Sequence, residues 1–227
     1  MRTVVFDLDG TLADTSADLI AAANACFEGM GKGRPLDPVA DALTAFAGGR
    51  AMLRLGFGRL GMPWNEAQVD AQYPVLLRAY SDAIAVHTVL YPGAMDAVRA
   101  LRKAGFATAI CTNKPEALAI ALCDRLGISD LFGALVGADT LPVRKPDPEH
   151  YFETVRRVGG QVGQSLLIGD TITDRDTARA AKVPVVLVGF GPEGAGVARL
   201  QPDALLDHYD DLPDLIEQVL ARPRVAV

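Results

Sequence analysis

The chain has no run of about 18 apolar residues that would span a bilayer. Its first residues, Met1-Arg2-Thr3-Val4-Val5-Phe6-Asp7, also meet a carboxylate too early to form a secretory signal. A cytoplasmic protein with no membrane partner is therefore expected. Cysteine is scarce: Cys26, Cys111 and Cys123 form no Cys-x-x-Cys pair. Their odd number, in a chain large enough not to need staples, suggests reduced, mostly buried thiols. His87, His150 and His208 are far apart and lack His-x-x-x-His spacing, which leaves a zinc site little support. Positive charge is in deficit, with 22 Lys and Arg against 28 Asp and Glu and a net charge of −6. That balance argues against a protein that binds nucleic acid by neutralising its phosphates. No Gly-x-x-x-x-Gly-Lys-Ser/Thr loop occurs. Gly189-Phe190-Gly191-Pro192-Glu193-Gly194 matches Gly-x-Gly-x-x-Gly, but Pro192 lies inside it and no clear amphipathic helix or βαβ unit follows, so a dinucleotide site is rejected.

What is present suits a globular enzyme. The 227 residues are 50% hydrophobic and 22% charged, enough for one substantial core and an accessory domain. Thr3-Val4-Val5-Phe6 is a short β-branched and aromatic run that ends in acidic residues and Gly10, the pattern of a buried strand and a tight loop. Similar runs recur at Phe106–Cys111, Ala134–Val136, Ser165–Ile168 and Pro184–Val188, most of them separated by helical spacing, as at Gly93–Ala104 and Pro115–Leu126. The alternation predicts an α/β fold with a parallel sheet. From about Asp14 to Val89 the rhythm breaks: Ala, Leu and helical periodicity dominate, with no comparable strand run. The expected organisation is an α/β core over 1–13 and 90–227 with a helical insert over 14–89. Gly48-Gly49-Arg50 is expected to be a loop between helices of that insert, Tyr91-Pro92-Gly93 marks the return to the core, and Arg222–Val227 reads as a frayed tail.

Four groups carry chemistry. Asp7-Leu8-Asp9-Gly10-Thr11 places two carboxylates directly after a buried strand, where open α/β sheets bind ligands. At about 4 Å apart, two such charges repel by roughly 4 kcal/mol at an effective dielectric near 20, so they call for a cation or a shared proton. Isolated, they could equally be loop and cap residues. Gly169-Asp170-Thr171-Ile172-Thr173-Asp174 repeats the arrangement after another strand. Asp174 suits a helix cap, whereas Asp170 follows the strand too closely for capping alone. Magnesium needs only one or two direct carboxylates plus substrate phosphate. Thr112-Asn113-Lys114 follows the strand that ends in Cys111, and Lys145-Pro146-Asp147-Pro148 precedes a helix expected to start near Pro148. Hydroxyl, amide and ammonium are the groups a phosphoryl oxygen requires, although a lone Lys145 would more often be solvated.

In this order, Asp-x-Asp-x-Thr, strand-Thr, Lys-Pro and Gly-Asp-x-x-x-Asp, the groups resemble the haloacid dehalogenase-like phosphohydrolases over about Val4 to Asp176. Val5–Thr15 is close to a family signature, and Tyr91-Pro92-Gly93 with Thr112-Asn113-Lys114-Pro115 looks like the phosphoglycolate phosphatase branch. The resemblance implies a Rossmann-like core with a helical cap that closes over the site. It makes Asp7 the nucleophile and Asp9 the general acid and base. Thr112 and Asn113 become substrate ligands, and Lys145 neutralises charge on the nucleophile and the transferring group. A magnesium ion would be held by Asp7, the main-chain carbonyl of Asp9 and Asp170, with Asp174 acting through a water or by orienting Lys145. Arg50 would pair with a substrate carboxylate or, equally, be a solvated residue at a helix start. Trp64, Tyr73 and Tyr80 read as packing residues rather than substrate contacts. The expected partner is a small phosphorylated metabolite, 2-phosphoglycolate first, with a sugar phosphate, a nucleotide or pyrophosphate as alternatives. Asp9 and the insert weigh against a phospho-acceptor signalling module.

Overall fold

The structure, a computed structural model, describes residues 1–61 and 63–222; of the tail expected over Arg222–Val227, all but Arg222 lies outside the described residues. The chain divides into two compact units, Met1–Ala13 with Leu90–Val227, and Asp14–Val89. Strand β1 (Thr3–Phe6) opens the first unit and is buried along its whole length, as a strand inside a parallel sheet must be. The chain leaves through β2 (Ala13–Asp14) and returns through β3 (Val89–Leu90), which form a two-stranded sheet. The second unit holds α1 (Ser16–Gly29), α2 (Ala42–Phe46), α3 (Gly49–Arg59) and α4 (Glu66–Asp82). After the return come α5 (Ala94–Lys103), β4 (Ala107–Cys111), α6 (Glu116–Leu126), β5 (Ala134–Val136) and α7 (Pro148–Arg157). The chain ends with β6 (Ser165–Gly169), α8 (Ile172–Ala181), β7 (Val185–Val188), β8 (Ala204–Leu206) and α9 (Leu212–Ala221). Among the described residues no helix is long and apolar enough to cross a membrane.

In the first unit the helices start and stop where local chemistry requires. Pro115 precedes α6 and Gly127, at φ 67°, ends it. Helix α5 buries Ala94, Ala97, Val98 and Leu101 along one stripe and carries Arg102 and Lys103 in its last turn, where the helix dipole favours cations. The main sheet has the order β5-β4-β1-β6-β7-β8, and every pairing is parallel. Val5, Leu167, Val185 and Leu187 of the strands pack with Tyr151 and Val155 of α7 and Ala178 of α8 in one buried cluster. The chain builds outward from β1 to β5 on one side, then crosses to β6 and builds outward on the other. The topological reversal therefore lies at β1, where Phe6 sits beside Ile110 of β4 and Ile168 of β6. Three segments, beginning at Asp7, Thr112 and Asp170, leave the same sheet edge there, the position at which such sheets bind ligands.

The helical unit packs around aromatic rings. Phe27 meets Phe57 edge-on at 5.2 Å between centroids, and Trp64 stacks on Phe57 at 6.1 Å. A Cβ on Gly56 would fall 2.3 Å from the Phe27 ring, so glycine is what lets α3 approach α1 this closely. Tyr80 is 1% exposed. The buried Asp18 accepts from the backbone N–H groups of His87 and Thr88 and from the Thr88 hydroxyl, which fastens α1 to the end of the unit. The loop expected over Gly48-Gly49-Arg50 is shorter than that. Ala47 and Gly48, the latter at φ 98°, make the turn, and Gly49 and Arg50 already belong to α3.

Candidate active site

Asp7 continues the β1–β6 ladder by one bond, its N–H donating to the Ile168 carbonyl at 2.8 Å. Its Oδ1 accepts from the Leu8 amide at 2.8 Å and lies 3.1 Å from the Lys145 ammonium. Lys145 also donates to Asp174 Oδ1 at 2.6 Å, and its side chain is 1% exposed. Burial works against its charge, yet Asp174 and Asp7 outweigh burial and hold Lys145 protonated above the ordinary lysine range. A solvated lysine is excluded. The other oxygen of Asp174 accepts from the Thr171 N–H at 3.0 Å, the Thr171 hydroxyl at 2.7 Å and the Asp170 N–H at 3.3 Å. Asp174 thus closes a capping box on α8 and braces Lys145 with the same carboxylate.

Asp170 stands between these groups, held by the Thr11 hydroxyl, which donates to its Oδ1 at 2.9 Å. The fit is close on two sides. A Cβ on Gly10, whose φ is 79°, would lie 2.3 Å from Asp170 Oδ2, and one on Gly169 would lie 2.3 Å from Asp174 Cγ. Only glycine at these positions leaves room for both carboxylates. Behind the loop, the buried Tyr209 hydroxyl donates to the Thr11 carbonyl at 2.7 Å.

Oxygen atoms of Asp7, Asp170 and Asp174 lie within 4.8 Å of one another. Three carboxylates facing the single ammonium of Lys145 leave two negative charges in a buried space. Burial first, then Asp174 and Asp9, push the Asp7 carboxyl up to about 6 from its ordinary 3.8, against the pull of Lys145. Asp170 is raised well above 3.8 by burial and by Asp174 and Asp7. An all-oxygen donor set with uncompensated negative charge fits a hard divalent cation. Asp7, Asp170 and Asp174 each present a carboxylate oxygen to that buried space, and the oxygens of Asp174 also accept from Lys145, Asp170 and Thr171.

The remaining expected residues fall into two groups. Thr112 is buried after β4, donates its N–H to the Val136 carbonyl at 3.0 Å and accepts the Lys114 N–H at 3.2 Å. Asn113 is exposed, and its side-chain amide donates to the Lys145 carbonyl at 2.9 Å, stapling the loop that carries the lysine. Arg50 belongs to the helical unit, where its guanidinium donates to Asp70 at 2.9 Å and lies 3.9 Å over the Tyr73 ring. The sequence assigned no role to Lys114 beyond its place in Thr-Asn-Lys, yet its ammonium bonds both carboxylate oxygens of Asp9 at 2.8 and 3.0 Å. His150 likewise carries no functional signal in the sequence. It is fully buried, its Nε2 donates to the Gly137 carbonyl at 2.8 Å, and its Nδ1 receives the Cys111 thiol at 3.2 Å. Burial lowers the His150 pKa and pushes Cys111 up to about 12, so the pair is neutral and ties α7 to the end of β4.

Known proteins share this arrangement of chain. A phosphoglycolate phosphatase of Mesorhizobium japonicum is 38% identical over 218 residues, covering 96% of each chain. One from Agrobacterium fabrum is 36% identical, covering 98% of this chain and 95% of its own. Among solved structures, one from Haemophilus somnus, described as a predicted phosphoglycolate phosphatase, superposes with a TM-score of 0.83 at 23% identity over 95% of this chain and 97% of its own. A hydrolase from Pseudomonas syringae superposes with a TM-score of 0.75 at 21% identity over 96% of this chain and 99% of its own, and like the former it speaks for the fold alone. The model of the haloacid dehalogenase-like hydrolases matches residues 1–182, and the chain belongs to that family.

Proposed function

We propose that the protein hydrolyses a small phosphomonoester, 2-phosphoglycolate, through a phospho-aspartyl intermediate on Asp7. The observation that carries this reading is the buried Lys145 ammonium held between Asp7 and Asp174 at the sheet's topological reversal. The names of the Mesorhizobium and Agrobacterium relatives support the substrate.

The first step is an in-line attack of the Asp7 carboxylate on phosphorus. Its Oδ1 is held by the Leu8 amide and Lys145, so we assign the attack to Oδ2. A bond forms between Asp7 and phosphorus as the ester P–O bond breaks, and Asp9 donates a proton to the departing glycolate oxygen. In the second step Asp9 takes a proton from water, the water attacks phosphorus, and inorganic phosphate leaves as the Asp7 carboxylate is restored. Lys145 and the Thr112 hydroxyl stabilise charge on the phosphoryl oxygens. Asp7, Asp170 and the Asp9 carbonyl would hold magnesium, whose positive charge would let a phosphate dianion approach a carboxylate. Asn113 acts by fixing the Lys145 loop. We place the protein in the cytoplasm, with which its three buried free cysteines agree.

The test is phosphate release from a panel of 2-phosphoglycolate, sugar phosphates, nucleotides and pyrophosphate, with magnesium and with chelator, for wild type and Asp7→Asn. Selective turnover of 2-phosphoglycolate that needs both magnesium and Asp7 is expected. Turnover of another ester keeps the mechanism and discards the substrate, and no turnover of any ester with saturating magnesium discards both.

A further inference from the structure

The two ammonium groups among the site carboxylates do different things. Lys145 is braced between Asp7 and Asp174 on the side of the nucleophile. Lys114 bonds both carboxylate oxygens of Asp9, and its side chain is only 4% exposed. Lysine is seldom buried without a specific partner. Its backbone is firmly rooted: the Lys114 N–H donates to Thr112 Oγ1 at 3.2 Å, and its carbonyl accepts from Ala138 at 2.9 Å. Pro115 then starts α6, so the ammonium extends from a fixed base.

We propose that Lys114 is a specificity-determining residue, which recognises a carboxylate on the leaving group and holds it beside Asp9. The proposal rests on 2-phosphoglycolate being the substrate. Asp9, as the proton donor, lies within hydrogen-bond reach of the ester oxygen, about 3 Å. In 2-phosphoglycolate a single methylene separates that oxygen from the carboxylate, so a cation hydrogen-bonded to Asp9 is within reach of it. A leaving group without charge offers Lys114 nothing beyond the bonds it already makes, whereas an acidic one adds a second anion to the same ammonium. Arg50, the expected partner for that carboxylate, is paired with Asp70 and stacked on Tyr73.

The experiment compares kcat/KM for 2-phosphoglycolate and for ethyl phosphate, which has a methyl group where the former has its carboxylate. It uses the magnesium-loaded wild type, Lys114→Met and Lys114→Arg. Loss of a hydrogen bond to a charged group corresponds to a selectivity change of roughly 10- to 100-fold. Lys114→Met is expected to lower turnover of both esters, because Asp9 loses its partner. Turnover of 2-phosphoglycolate should fall by that further factor, chiefly through KM, while Lys114→Arg keeps most of the preference. If Lys114→Met does not fold, Lys114→Gln, which retains a donor for Asp9, takes its place. An unchanged preference in a folded Met or Gln variant overturns the proposal and leaves Lys114 as a positioning residue for Asp9. A wild type that hydrolyses ethyl phosphate or other esters but not 2-phosphoglycolate overturns the substrate assignment, and the proposal with it.

Discussion

Asp7→Asn should abolish catalysis and, with chelator present, make the protein more stable at neutral pH. The Asp7 carboxyl is displaced from 3.8 to about 6, burial being the largest cause and the charges of Asp174 and Asp9 adding to it. Between those values the folded protein holds a proton that the unfolded chain has released, so stability falls as pH rises through the interval. A displacement of this size corresponds to about 3 kcal/mol, fully lost above the folded value. Asparagine has the shape of aspartate without the charge, and Lys145 retains Asp174 as its partner. The variant therefore recovers up to about 3 kcal/mol above pH 6, less the contribution of the Lys145 contact. In a chain of this size about 3 kcal/mol is roughly 6–12 °C in Tm. Thermal melts of both proteins in chelator from pH 4 to pH 8 give the result. The Tm difference should be small near pH 4, grow through pH 5 to 6 and then level off. A difference independent of pH, or a variant less stable than wild type at pH 7, would refute the reasoning that buried charge at Asp7 is stored at the expense of stability.

Three further outcomes follow from the same geometry. Asp174→Ala removes the brace of a buried ammonium and the reciprocal cap of α8, and should destabilise the protein by about 3–5 kcal/mol in urea melts; a loss under 1 kcal/mol would show that Lys145 does not depend on it. Magnesium at about 100 times its Kd should stabilise wild type by about 2.7 kcal/mol and leave Asp170→Asn nearly unmoved, as differential scanning fluorimetry across a magnesium titration can establish. Gly10→Ala introduces a Cβ 2.3 Å from Asp170 Oδ2 at a backbone φ of 79°, so it should weaken magnesium binding measured by calorimetry while far-UV circular dichroism stays like wild type. Wild-type affinity in that variant would show that Asp170 can move without consequence.

The sheet was largely legible because its strands are buried on both faces and read as short apolar runs. Ala134–Val136 was read residue for residue, and Ser165–Ile168 and Pro184–Val188 differ from the observed strands by one residue at one end. β8 and α9 were not legible, although α9 buries Leu212, Ile216 and Val219 at helical spacing. Asp7 and Asp170 could be found because each directly follows a strand end, which fixes where a side chain can act, and Lys145 because its Lys-Pro lies just before the start of α7. What the sequence could not supply was partnership between distant side chains. Lys114 and Asp9 are 105 residues apart, and nothing in Thr-Asn-Lys says which way the lysine turns. Nor does the sequence reveal that the Asn113 side chain donates to the Lys145 carbonyl, or that Asp70 and Tyr73 lie against the Arg50 guanidinium. Asp174 fits a cap and a site residue equally well, since one carboxylate serves both ends.

The central claim is that Asp7 carries the phosphoryl group. Wild type mixed with 2-phosphoglycolate labelled in its phosphoryl group, in magnesium, should be quenched in acid within milliseconds and digested for peptide mapping. The label is expected on the peptide that contains Asp7, released by hydroxylamine as an acyl phosphate is, and absent from Asp7→Asn. Rapid hydrolysis with no label on the protein, or turnover by Asp7→Asn at the wild-type rate, would contradict the account.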